Sequence, residues 1–181
     1  MKISTAIQIA LLTAMIATPA LARELTADET AALAQAVTDF NTAMGEADYA
    51  TVVKTIPPAV VENIAASGGI SASELITTIV SQMEEAMAAV KIESFSMDMA
   101  AVKYEETPDG TPYALIPTTT VVDAGAGGKF KAMSDTLALL DDDTWYLMSL
   151  SDPAQVGILS QVYPSFTGVQ FPPGTMEQVT P

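Results

Sequence analysis

The sequence predicts an α+β protein: N-terminal helices packed on a curved antiparallel sheet of about four strands that forms a cone, closed by a short C-terminal helix. Three observations carry this. Apolar residues recur at helical spacing as far as Val90, and at every second position after it. Two capping boxes, Thr26-Ala27-Asp28-Glu29 and Ser71-Ala72-Ser73-Glu74, open the two longest helical stretches. The stretch Lys129–Leu150 reads as two strands joined at an acidic tip, where Asp141, Asp142 and Asp143 repel one another and favour a solvated turn.

The first 22 residues stand apart. Lys2 is a short positive region, Ile7–Ile16 an apolar run, Pro19 a break, and Ala20-Leu21-Ala22 a small-x-small cleavage site. This is the pattern of a secretory signal peptide cut after Ala22. The run is too short for a membrane span, which needs about 20 apolar residues, and it lacks the basic face of an amphipathic anchor. A periplasmic or secreted mature chain is expected, with no stable membrane insertion after cleavage. Residues 23–163 read as a single α+β domain and 164–181 as a proline-bearing extended tail outside the core.

Within the domain, Leu33, Ala36, Val37, Phe40 and Met44 share one face of a helix over residues 27–44, with Gly45 as its stop. A shorter helical segment carries Tyr49, Val52, Val53 and Ile56. Pro57-Pro58 breaks it and starts another, which ends at Ser67-Gly68-Gly69. Leu75, Ile76, Ile79, Val80, Met83, Met87 and Val90 make a broad stripe on the longest and cleanest helix. Past Lys91, Phe95, Met97, Met99 and Ala101 share one strand face, whereas Val102 and Tyr104 fall in the other phase; a bulge near Ala100-Ala101 reconciles them. Tyr113–Val122 is strand-like, with Pro117 confining it to an edge or a bulge. Asp152 and Pro153 cap and open the last helix.

Composition excludes several functions. The chain holds 7 basic and 22 acidic residues, a net charge of −15. Arg23 is its sole arginine, so nucleic acid is not an expected partner. The acidity is read first as solubility and second as attraction of a cationic ligand. With no cysteine and no histidine, disulfides, thiolate catalysis, His-based triads and Cys- or His-ligated metals are all absent. No cofactor and no metal site are expected. Met97-Asp98-Met99 resembles a thioether pair for Cu(I), but its spacing on a strand is that of core filler. Asp141–Asp143 lacks the glycine and distal glutamate of a calcium loop. Gly125-Ala126-Gly127-Gly128 lacks the ending of a phosphate loop.

The early helix pair, the long helix Ser73–Val90 and the closing strand DDDTWYLMSLSDP together resemble the nuclear transport factor 2-like (cystatin-like α+β) superfamily. The resemblance covers residues 26–160 and is one of architecture, not motif. It implies a pocket between curved sheet and helices, used by some members for isomerase, dehydratase or hydrolase chemistry and by others for binding alone. Fold does not choose between these. The expected function is therefore non-catalytic binding, in the pocket or on a sheet face, of a small apolar or cationic molecule or of a protein partner, a second copy in a homodimer among them. The alternative is a cofactor-independent isomerase or dehydratase using Tyr and carboxylate groups. Tyr49, Tyr104, Tyr113, Tyr146, Asp39, Asp98 and Asp135 are the components to hand. Asp98 and Tyr104 are the candidate pair, since both fall in the phase opposite Met97 if the strand bulges between them.

Overall fold

Thr26 begins the fold as its capping box predicts. Its hydroxyl accepts the Glu29 N–H at 3.1 Å, and the Glu29 carboxylate accepts the Thr26 N–H at 2.7 Å, satisfying two donors that a helix start leaves open. The computed structural model describes residues 25–150 and 152–179, so the expected signal peptide lies outside the described residues. Helix α1 runs Ala27–Gly45. Its stop differs from expectation: the left-handed residue is Ala47, at φ 57°, not Gly45. The position that would gain most from glycine's freedom is thus an alanine. Asp48 caps α2 (Tyr49–Val53), and Pro58 takes the first position of α3 (Pro58–Gly68), which ends on Gly69 at φ 68°. Ser71 and Glu74 form the second capping box at the head of α4 (Ala72–Ala88).

The strands are β1 (Lys91–Met97), β2 (Lys103–Glu106), β3 (Pro112–Asp123), β4 (Lys129–Asp141), β5 (Thr144–Ser149) and β6 (Thr175–Val179). All pair antiparallel in one sheet that curls into a half-barrel. Six strands make a sheet only four lanes wide. β3 and β4 pair along their length, β1 and β2 share the lane beside β3, and β5 and β6 share the lane beside β4. The bulge expected near Ala100-Ala101 is a single tight helical turn, Met99–Ala101, that separates β1 from β2.

That turn explains Pro117, which sits in a central strand, not an edge. Its carbonyl accepts the Asp98 N–H at 2.8 Å. A strand residue points its N–H and C=O toward the same neighbour, so the missing proline N–H faces the break between β1 and β2. No ladder bond is lost there.

Directly opposed strand residues share a face, and the register sorts the core accordingly. Ala114, Ile116, Ala138, Trp145 and Leu147 turn inward and pack with Leu33 and Val37 of α1 and with Met97. Tyr113, Leu115, Leu137 and Leu139 turn outward onto Leu150, Leu159 of α5 (Pro153–Val162) and Phe166. The hairpin thus carries apolar residues in both phases, and its sheet is covered on both sides. Asp142 and Asp143 form its tip, both at positive φ, as a two-residue hairpin turn requires.

The chain beyond α5 corrects the expectation of a tail outside the core. Phe166 is fully buried, with ring centroids 5.2 Å from Tyr113 and 6.2 Å from Phe171. Thr175–Val179 is extended, as expected, but as β6 on the first half of β4.

Candidate functional site

Helix α4 shows where the packing is incomplete. Its apolar stripe is the broadest in the chain, yet none of its residues is buried. It packs on α2 and α3 and touches β1. Ile79 and Met83 of that stripe roof a cavity of about 470 Å³, within the range of small-molecule sites. Phe40 and Met44 of α1, Val52 and Val53 of α2, and Val60 and Ile64 of α3 form the helical walls. Leu147, Met148 and Ser149 of β5 and Ile158 of α5 close the sheet side. The residues that sequence periodicity assigns to helix cores thus line a space instead of filling one.

Thr55 holds the rim. Its carbonyl accepts the Leu147 N–H at 2.8 Å, and its hydroxyl lies 2.7 Å from the Val52 carbonyl and 3.2 Å from that of Leu147. The α2–α3 connection thereby covers the outer edge of β5 that would otherwise stand unpaired. Gln155 of α5 also lines the cavity, its side-chain oxygen accepting the Asp152 N–H at 3.2 Å.

A second space of about 130 Å³ adjoins the first, sharing Phe40, Leu147, Met148 and Ser149 in its walls. Its floor is the inner face of the sheet, and its chemistry differs. Thr118 and Thr120 of β3 and Ser134 and Thr136 of β4 lie side by side there, next to Phe95 and Met97 of β1. The hydroxyls of Thr118 and Thr136 are 2.7 Å apart, and that of Thr118 also lies 3.0 Å from the Ile116 carbonyl. Both residues are buried, at 7% and 5% exposure. Among the described residues, no Asp, Glu, Lys, Arg or Tyr is in the lining of either space.

The candidate pair Asp98 and Tyr104 is not brought together in the cavity. Asp98 is exposed at the break between β1 and β2, where its carboxylate accepts the Ala100 N–H at 2.9 Å. Tyr104 is 43% exposed on β2. Neither lines the cavity. Asp39 accepts from Gln35 on the exposed side of α1, and Asp135 lies in a crevice with Pro117 and Pro172 on the other side of the sheet. Two Tyr–carboxylate pairs do exist. Tyr113 donates to Glu105 at 2.6 Å and Tyr163 to Asp141 at 2.7 Å, but both tyrosines belong to the outward-facing cluster. Burial first, and then the bonded carboxylate, pushes each phenol well above its ordinary value. Met97 is buried and Met99 packs against the same inner cluster. No group of three or more acidic side chains with metal-holding geometry exists among the described residues.

Sequence reasoning missed the hydroxyl row. The signal is Thr118-x-Thr120 and Ser134-x-Thr136, each at strand spacing in a phase otherwise held by Ala114, Ile116, Ala132 and Ala138. Only the β3–β4 register shows that the two pairs meet. Among the described residues no single helix is long and apolar enough to cross a membrane. Compared with protein-family models, curated proteins and solved structures, the chain matches none.

Proposed function

We propose that this is an exported binding protein that holds a small, uncharged, largely apolar molecule between its helices and its curled sheet. One observation carries the reading: a cavity of about 470 Å³ walled by aliphatic, Met and Phe side chains, with no ionisable group among the described residues of its lining. Such walls favour an apolar guest, because each square ångström of apolar surface withdrawn from water contributes about 25 cal/mol. The same walls disfavour a cationic guest, which would be desolvated without a partner. Helices over a curled sheet, with a pocket between, support the resemblance to the nuclear transport factor 2-like superfamily. Acid–base chemistry by Tyr and carboxylate would need such a pair within the cavity, and Tyr113–Glu105 and Tyr163–Asp141 face the other way.

The test is a titration of the mature protein with the hydrocarbon dye diphenylhexatriene, whose fluorescence rises on leaving water. Saturable binding is expected, with loss in Ile79→Trp, whose larger side chain occupies the roof of the cavity. A wild-type protein that shows no saturable signal would refute the reading.

A further inference from the structure

The two adjoining spaces differ in chemistry in a way that a purely apolar guest does not need. Four cavity-facing positions on β3 and β4 carry hydroxyls where valine or alanine would give an equally regular strand and a drier wall. Burying a hydroxyl is costly unless it is hydrogen-bonded. Thr118 meets this within its own strand, through the Ile116 carbonyl. Among the described residues, Thr136 has only Thr118.

A hydroxyl carries one proton, and following it along this chain leaves one unspent valence. With the Thr118 proton on the Ile116 carbonyl, Thr136 donates to Thr118 and its own oxygen keeps open lone pairs. With the Thr118 proton on Thr136, the Thr136 proton is the one left over. Thr136 presents an acceptor in one ordering and a donor in the other. A ligand hydroxyl matches both orderings, since it too can donate and accept. A carboxylate matches only one and would be buried with no counter-charge among the described lining residues; an ammonium group would likewise lack a carboxylate there.

We infer that the hydroxyl-lined end is a head-group subsite, and that the guest is an apolar chain or ring system ending in a neutral hydroxyl seated on Thr136, with its body in the aliphatic space under Ile79 and Met83. This rests on reading the larger space as a binding cavity, and the experiment separates the two. Wild-type protein loaded with diphenylhexatriene is titrated with dodecanol, dodecanoate and dodecyltrimethylammonium, which share one chain and differ in head group. Dodecanol is expected to displace the dye at concentrations roughly tenfold lower than either ion, because neither charge is compensated in the subsite. Thr136→Val, which leaves Thr118 its Ile116 carbonyl, is expected to weaken dodecanol about fivefold more than it weakens the dye, the worth of one net hydrogen bond. Thr136→Ala is the second variant: it also removes the hydroxyl, matches its same-phase strand neighbours Ala132 and Ala138, and decides the matter should Thr136→Val fold poorly. Equal displacement by all three head groups, or variants that leave dodecanol unaffected, would overturn the subsite and leave the apolar cavity standing. Absence of dye binding to wild type would overturn the cavity itself.

Discussion

Trp145 donates its indole Nε1–H to the backbone carbonyl of Glu29 at 2.9 Å, fastening β5 to the first turn of α1 across 116 positions of sequence. The ring meanwhile packs in the inner cluster with Leu33 and Val37. A buried indole needs a partner for its N–H, and this one finds it where a helix carbonyl has a second lone pair to offer. The bond sets how α1 lies over the sheet, and hence where Phe40 and Met44 stand in the cavity wall.

Replacing Trp145 by Phe keeps an aromatic ring and removes the donor. The Glu29 carbonyl stays within the helical ladder of α1, so the loss is one net hydrogen bond and some buried area, about 1–2 kcal/mol. Urea unfolding followed by circular dichroism measures it, since the variant lacks the chain's sole tryptophan. A midpoint equal to wild type would show that the bond contributes nothing.

The raised phenols give the fold an alkaline limit. Tyr113 and Tyr163 hold their protons more tightly folded than unfolded, through burial and then through Glu105 and Asp141. Their contribution is therefore whole below pH about 10, the ordinary phenol value, and is lost as pH climbs toward the raised folded values. Phenolate absorbance of the native protein should show Tyr113 and Tyr163 resisting ionisation until the structure opens. Tyr113→Phe and Tyr163→Phe should each remove one resistant group. Tyr113 and Tyr163 ionising near pH 10 in a still-folded protein would contradict this.

Local signals were legible wherever a single residue type carries its own mechanism. Thr26, Ser71 and Asp152 each cap a helix, and the hairpin turns at Asp142-Asp143. The apolar stripe of α4 was legible too, but a stripe says that a face avoids water, not that it is filled. Ile79 and Met83 border a space, and nothing in their spacing distinguishes that from a core. The hydroxyl row escaped for a related reason: it exists only once β3 and β4 are in register. A simple bulge would bring Asp98 and Tyr104 into one phase. The full helical turn at Met99–Ala101 leaves Asp98 capping its own loop instead.

Phe166 escaped because it stands alone among turn-forming residues, without a period to mark it. Fully buried against Tyr113 and Phe171, it ties the chain beyond α5 to the outer face of the sheet. Phe166→Ala should cost about 3–5 kcal/mol. Ending the chain at Tyr163 should cost at least as much, since β6 leaves with it. Thermal unfolding of both variants checks this, and a truncated protein as stable as the whole would return the segment to the status of a tail.

The last prediction concerns α4, whose two contributions to the fold differ in kind. Its capping box is well made: Glu74 accepts the Ser71 N–H at 2.8 Å and donates its own N–H to the Ser71 hydroxyl at 3.2 Å. These bonds are local and stabilise the helix as a helix. They do not anchor it. Anchoring comes from burial, and α4 has no buried residue, whereas α1 buries Leu33, Val37 and Ala43. An element with good caps and few buried contacts opens as a unit at lower cost than the core it covers. In native-state hydrogen exchange, α4 amides should therefore be less protected than those of α1, β3 and β4. A guest in the cavity fills the space beneath Ile79 and Met83 and adds apolar contact to the closed form alone, so ligand saturation should slow α4 exchange while leaving β3 and β4 little changed. Protection of α4 equal to the central strands, unaltered by diphenylhexatriene, would mean that the cavity admits its guest by another route.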